Sequence, residues 1–359
     1  MQTDQRPLVA VADGTVLDEI LRLAAAVGCE PECVSDLGAA RGRWARAPLV
    51  LTDDESAASA ATADLPRRTG VLLVRKGPPA AESWKHAVTV GADAIVALPD
   101  DEDALLAALA DMVEAPEPGG GHVLAVLGGR GGAGASVLAA GIAVTAARAG
   151  GRCLLVDCDP LGGGIDLVLG AELSEGLRWP GLRIGSGRVS MSALDDALPG
   201  TRHGEGALAV LSCGREGPGP DDAAVAAVVD AGRRAGRLVV CDLPRRRGPG
   251  TDAVLERAGL VVLVVPAEVR ACVAAARVLA DLGDHAGKVR ALARGPAPDG
   301  LTSDDVADAV GVPSLGWLRR DRGLGRALER GVFDPRPGGG LATASRAVLG
   351  ALPAPDHPQ

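Results

Sequence analysis

The sequence predicts an α/β chain of two domains in series, a small one with a parallel sheet and a larger one with a mostly parallel sheet. Three observations carry this reading. Short apolar runs alternate with segments of helical period along almost the whole chain. The stretch Ala115-Pro116-Glu117-Pro118-Gly119-Gly120-Gly121 interrupts the alternation, because Pro and Gly together end one helix and prevent the next. Finally, Val123 to Ser136, VLAVLGGRGGAGAS, joins an apolar run to an Ala-rich periodic segment through a glycine loop. The expected boundaries are a first domain over 1–115, a linker over 116–121, a second domain over 122–352 and a disordered tail over 353–359.

In the first domain, strands are expected at 8–12, 33–34, 48–52, 70–74 and 94–98, with helices at 16–27, 37–47, 81–90 and 102–113. Their order and length resemble a response-regulator receiver, the CheY-like fold. The resemblance puts Asp53, just past the third strand, where a phosphoacceptor stands. A phosphoryl-aspartate site needs paired carboxylates for Mg²⁺ and a cation for the phosphoryl oxygens. Here the acidic pair is reduced to Asp13, and the lysine expected before Pro99 is Leu98. The domain therefore reads as a degenerate receiver that docks or dimerises.

Composition excludes several classes. The chain has 359 residues, long enough for sizeable cores, and no apolar run reaches the length of a membrane span. Its start, Met1-Gln2-Thr3-Asp4, lacks the basic character of a signal peptide. The first 115 residues carry 19 acids against 10 bases, which accounts for the whole net charge of −9 and argues against nonspecific nucleic-acid binding there. Seven cysteines match no zinc framework and read as buried free thiols of a reducing cytosol. The histidines show no metal spacing either.

The glycine loop carries the chemistry. A strand, a glycine loop and a helix start form an anion site, since backbone N–H groups converge and the helix dipole adds positive charge. Gly129-x4-Gly134-Ala135-Ser136 has the spacing of a Walker A loop, but Ala135 stands where its lysine belongs. The only lysines are Lys76, Lys85 and Lys288, none near the loop, and the nearest cation is Arg130. Gly129-x-Gly131-x-x-Gly134 also fits a dinucleotide fingerprint, leaving an NAD(P)-dependent oxidoreductase as an alternative. For that reading Asp157, 28 residues after Gly129, lies somewhat far along the chain.

Beyond the loop, a helix is expected over 135–149 and strands at 152–156, 208–211, 238–243, 260–266 and 289–293. The strand at 152–156 delivers Asp157-Cys158-Asp159-Pro160, and the one at 238–243 ends in Asp242-Leu243-Pro244. Together with Arg130-Gly-Gly-Ala-Gly-Ala-Ser136, these motifs resemble the deviant-Walker MinD/ParA ATPases, a P-loop family. A degenerate receiver ahead of such a domain resembles the CpaE/TadZ branch. Within it, the lysine-free loop is most similar to septum site-determining (Ssd) proteins. The resemblance extends to the tail, where 311–317 and 326–331 look like the family's last strand and helix.

The resemblance implies a set of roles. Gly129, Arg130, Gly131, Gly132, Ala133, Gly134, Ala135 and Ser136 would wrap the phosphates of ATP. Ser136 would ligate Mg²⁺ with Asp242 behind it, and Asp159 would complete the second motif. Asp157 is the catalytic candidate, orienting the attacking water. Arg130 replaces the signature lysine that crosses the dimer, and Ala135 the Walker lysine, so the enzyme is at most a weak ATPase. The expectation is a cytoplasmic regulator of septum placement, or of a pilus or secretion assembly, forming a nucleotide-linked homodimer. A nucleotide-free scaffold of the same fold is the other alternative. Arg245-Arg246-Arg247 reads as a solvated basic loop or a partner contact. Arg319, Arg320, Arg322, Arg326 and Arg330 read as a polyanion-binding face or as solubilisation of a helix. The end, 341–352, lacks the basic face of a membrane anchor, so membrane or septum recruitment would run through partners.

Overall fold

A computed structural model of the chain describes residues 6–35, 41–60, 65–113, 121–182, 189–216, 219–248, 250–297 and 300–353. Two compact units emerge, one of Met1–Ala115 with Ser186–Ser190, the other of Pro116–Gly185 with Met191–Gln359. Most of the expected linker, and the expected tail after residue 353, lie outside the described residues.

The first unit runs β1 (Leu8–Ala10), α1 (Gly14–Ala26), β2 (Glu32–Cys33), α2 (Arg41–Trp44), β3 (Val50–Thr52), α3 (Asp54–Ala60), β4 (Val71–Lys76), α4 (Ala81–Val90), β5 (Ala94–Leu98) and α5 (Glu102–Val113). Its five strands are all parallel in the order β2-β1-β3-β4-β5, the doubly wound arrangement with a switch point between β1 and β3. Period-two alternation serves both faces: Leu8 and Ala10 enter one apolar layer around Trp44, Val50 and Leu73. Val9 enters the other layer, with Ile20, Leu51 and Leu105. Of the helix expected over 37–47, only Arg41–Trp44 is observed as helix, and 36–40 lie outside the described residues. α3 is not among the expected helices, since its Ala/Ser-rich DESAASA shows no strong apolar stripe.

Asp53 is what starts α3. Its Oδ1 accepts from Ser56 N at 2.8 Å, while Oδ2 accepts from Ala12 N at 2.8 Å and Asp13 N at 2.7 Å. The side chain caps the helix and ties it to the β1–α1 loop, at 4% exposure. Asp13 points elsewhere, capping α1 through Thr15 N at 2.8 Å, with Thr15 Oγ1 also donating at 2.8 Å. A carboxylate with both oxygens committed to backbone donors is a structural latch, poorly placed to attack phosphorus.

The second unit continues β6 (Val123–Gly128), α6 (Ala135–Arg148), β7 (Arg152–Asp157), α7 (Ile165–Leu169), α8 (Met191–Ala197), β8 (Gly200–His203), β9 (Gly206–Leu211), α9 (Asp222–Arg234) and β10 (Leu238–Asp242). There follow α10 (Thr251–Arg257), β11 (Leu260–Pro266), α11 (Val269–Leu282), β12 (Val289–Arg294), α12 (Ser303–Val310), β13 (Ser314–Leu318), α13 (Leu324–Leu328) and α14 (Gly340–Gly350). The sheet order is β13-β12-β11-β6-β10-β7-β9-β8, parallel except for the terminal β8–β9 hairpin. The central strands read VLAVLG and LVVLVVP because helices cover both faces and leave no polar side.

α6 is buried over most of its circumference, between the sheet and α14. That explains its Ala-rich sequence. Gly141 permits the closest approach: a Cβ there would stand 2.8 Å from the Leu341 side chain. Leu341, Ala344 and Val348 of α14 share one buried core with α6, and Ala342 is buried as well. No helix among the described residues is long and apolar enough to cross a membrane. The five C-terminal arginines do not share one helix: Arg319, Arg320 and Arg322 precede α13, only Arg326 lies within it, and Arg330 follows it.

The latch geometry predicts that Asp53 takes up no phosphoryl group and that its loss destabilises the first unit. Full-length protein incubated with acetyl phosphate and Mg²⁺ should keep its intact mass, and a stoichiometric phosphoryl adduct would contradict this. Asp53→Ala strands three backbone donors and should cost on the order of 2–4 kcal/mol in urea unfolding.

Candidate nucleotide site

β6 and β10 deliver the site to the C-terminal edge of the parallel sheet, where α/β sheets bind ligands. Gly129 N donates to Val264 O at 2.9 Å, which pins the start of the loop to β11. The chain then turns through Gly132 (φ 71°) and Gly134 (φ 93°), left-handed conformations that favour glycine. Gly134 is the N-cap of α6, and no side chain caps the helix. The first turn therefore keeps its orphan N–H groups for an outside acceptor. A Cβ at Gly131 or Gly132 would meet nothing within 4 Å, so this side of the loop is open.

Parallel register places the carboxylates. Asp242 pairs with Asp157 across β10 and β7, and with Val126 on β6. Asp242 is 4% exposed, and burial pushes its carboxyl up to about 7. A hydrogen bond from Ser136 opposes that rise, while the nearby Asp157 and Asp159 add to it. Asp157 is committed to structure. Oδ1 accepts from Asp159 N at 3.0 Å, and Oδ2 from Ile165 N at 2.9 Å and Cys213 N at 3.1 Å. Its pKa is raised by burial in spite of those bonds. Asp159 is half-buried, and its Oδ1 accepts from Leu161 N at 3.1 Å.

Cations come from distant strands and helices. Arg130 Nη2 pairs with Glu268 Oε1 at 2.9 Å, just before α11, with both side chains more than a third exposed. Arg294, the last residue of β12, donates from Nη1 to Gly132 O at 2.7 Å. An open groove of about 590 Å³ borders Gly129 and is lined by Arg245, Arg246, Arg270 and Arg277, with Val273 and Asp281. Arg247 is bound instead to Asp252, its Nη2 2.6 Å from Oδ1. Four guanidinium groups beside the loop favour anions.

The expected loop residues, Ser136 and Asp242 thus come together, with Asp159 at the margin. Asp157 lies beside them with its oxygens engaged. Arg294, Glu268 and a cluster around the buried Asp166 are not among the expected site residues. In that cluster Asp166 accepts from Arg215 Nη1 at 2.9 Å, Arg178 Nε at 3.2 Å and Ser212 Oγ at 3.0 Å. Arg294 carried one legible signal, its place at the C-terminal end of an expected parallel strand. Six cysteines are buried as expected, but Cys33 is exposed. Burial pushes Cys153 up to about 12, so it is an inert thiol.

The donor set fits a Mg²⁺-bound nucleotide. The uncapped start of α6 leaves backbone N–H groups beside an open side of the loop, and a carboxyl whose pKa is raised by burial, and further by Asp157 and Asp159, would be relieved by a cation beside it. Among the described residues no group of three or more His, Cys, Asp or Glu side chains could hold a metal ion by itself. Mg²⁺ at nucleotide sites usually takes one or two protein ligands plus phosphates and water.

Comparison with known proteins places these features. Residues 10–120 match the family described as "Rv3660c-like, CheY-like N-terminal domain". Protein Rv3660c of Mycobacterium tuberculosis H37Rv is 44% identical over 352 residues, covering 96% of this chain and 97% of that one. Protein MT3760 of strain CDC 1551 matches to the same extent. The MinD cell division protein of Aquifex aeolicus aligns with 66% of this chain and all of its own, at 20% identity and TM-score 0.51. A ParA family ATPase from Chlorobium tepidum aligns with 65% of this chain and 93% of its own, at 15% identity and TM-score 0.51. These two similarities establish fold.

The raised carboxyl of Asp242 predicts a pH dependence. Below about pH 4 it is protonated folded and unfolded; between about 4 and 7 only the folded state keeps the proton. Its contribution is therefore lost as pH rises through about 7, by roughly 4 kcal/mol in all. In EDTA, Asp242→Asn should lose much less stability than wild type between pH 4 and pH 8, as read by urea unfolding. Parallel curves would contradict a buried proton at this position.

Proposed function

The chain belongs to the Rv3660c-like family, and from that premise we propose that it is a nucleotide-binding regulator of the MinD/ParA kind, holding ATP with little or no turnover. The observation that carries the reading is the uncapped glycine loop at the start of α6, with Ser136 near enough to the buried Asp242 to lower its pKa. Gly131, Gly132 and Gly134 would wrap the phosphates, with Gly129, Ala133 and Ala135 framing the turn. Ser136 would hold Mg²⁺ with Asp242 behind it, and the metal would neutralise charge on the phosphate oxygens.

Turnover is a different matter. Asp157 is the family's candidate for orienting water, yet three backbone N–H groups already occupy its oxygens. Ala135 contributes no cation to the transition state. The same engagement of Asp157 counts against an NAD(P) oxidoreductase, which needs a free carboxylate for the ribose. Occupancy and dimerisation then carry the signal. Arg130, latched to Glu268 by an exposed pair worth about 0–1 kcal/mol, is cheaply released toward a second subunit's phosphates.

The biological role we assign is septum placement, or control of an associated pilus or secretion assembly, following the motif resemblance to septum site-determining and CpaE/TadZ proteins. The protein would act from the cytoplasm and reach a membrane or septum through partners, since Leu341, Ala344 and Val348 of α14 are buried in one core with α6.

Equilibrium binding of labelled ATP, ADP and NAD to the purified protein tests the reading, with ATP and ADP expected to bind. Ala135→Lys should tighten ATP by roughly 1–3 kcal/mol through a new charge-assisted contact. Unchanged affinity in that folded variant would mean the loop does not hold phosphates in this register. In sedimentation, Mg·ATP should shift wild type toward dimer and Arg130→Ala much less. A dimer indifferent to ATP and Arg130 would favour a nucleotide-free scaffold, and brisk phosphate release would overturn the occupancy mechanism.

A further inference from the structure

The loop lacks its lysine, but it does not lack a cation. Arg294 reaches it from 162 residues away in sequence, donating from Nη1 to Gly132 O at 2.7 Å. Its guanidinium lies along the flank of the loop: a Cβ on Gly134 would stand 3.3 Å from Nη1 and 3.6 Å from Cζ. Glycine at 134 thus serves two ends, the positive φ and the room for this side chain.

Arg130, within the loop, and Arg294, bonded to it, differ in what balances them. Arg130 is paired with Glu268. For Arg294 no carboxylate partner exists among the described residues, and its one side-chain hydrogen bond ends on a neutral carbonyl. A guanidinium has five N–H donors in a fixed fork and cannot shed its charge. One N–H braces the loop, and the rest of the group remains as positive charge beside the open cradle.

We propose that Arg294 is the phosphate-neutralising cation of this site, doing for a bound nucleoside di- or triphosphate what a lysine at position 135 does in other P-loops. The inference rests on the nucleotide reading of the loop and adds a residue to it. The charge arrives from the side, from the end of β12, while the glycines that would wrap the phosphates contribute backbone donors. It also explains how a loop ending Gly134-Ala135-Ser136 retains electrostatic complementarity to phosphate.

The test is equilibrium binding of Mg·ATP, Mg·ADP and AMP to full-length wild type, Arg294→Ala, Arg294→Lys, Ala135→Lys and the Ala135→Lys/Arg294→Ala double variant. Thermal melting without nucleotide checks that each is folded. Arg294→Ala should weaken Mg·ATP by about ten- to a hundredfold, as for loss of a charged hydrogen-bonding partner. AMP, which carries less charge, should lose less, and Arg294→Lys should retain part of the affinity. The double variant should recover binding, because lysine at 135 restores the charge without restoring the brace on Gly132. Wild-type binding that Arg294→Ala leaves unchanged overturns the role of Arg294 while sparing the nucleotide reading. Loss in Arg294→Ala that lysine at 135 does not recover also overturns it, leaving only a bracing role. Failure of both wild type and Ala135→Lys to bind any nucleotide sinks the reading and the inference together.

Discussion

Parallel pairing of β7, β10 and β6 in one register is the constraint on which the second unit depends. It sets Asp157 opposite Asp242, and Asp242 opposite Val126, at the edge where the glycine loop leaves the sheet. Parallel strands need crossovers, and the crossovers cover both faces with helices. The strands between them must then be apolar throughout, and polar residues can appear only at strand ends. Carboxylates concentrate there for that reason, in a place that is both buried and close to the start of α6, where no side chain caps the backbone donors.

Charge at this edge is balanced in two different ways. Asp157 and Asp166 are satisfied internally, by backbone N–H groups and by Arg178, Arg215 and Ser212. These bonds fix the segments after β7 and β9 and leave little capacity for chemistry. Asp242 and Arg294 are the opposite case: among the described residues the carboxyl has no cation paired with it and the guanidinium has no carboxylate. On the proposed nucleotide reading, a Mg²⁺-bound polyphosphate would supply both missing partners.

The first unit makes a related point with the same architecture. Its parallel order presents Asp53 at a strand end, the position from which receivers act, yet three backbone N–H groups hold that carboxylate. A strand-end aspartate has either a capping job or an open coordination sphere. Here it has the capping job.

Much of this was legible from sequence. Apolar runs of period-two or continuous character located most strands, since burial on both faces leaves a direct compositional trace. The glycine loop was legible because left-handed backbone and close approach restrict residue choice, and the absence of lysine from the loop was a matter of inspection. α3 left little trace, being started by a cap and not by an apolar stripe. The sequence also could not reveal which charges are spent. Whether Asp157 is free, whether Arg130 is latched and whether Arg294 reaches Gly132 depend on partners far along the chain, several of them backbone groups that carry no side-chain signature. Residue types decided where polar groups could stand, and only tertiary packing decided which of them remain available, because hydrogen-bond capacity is consumed by whatever the fold brings within 3 Å.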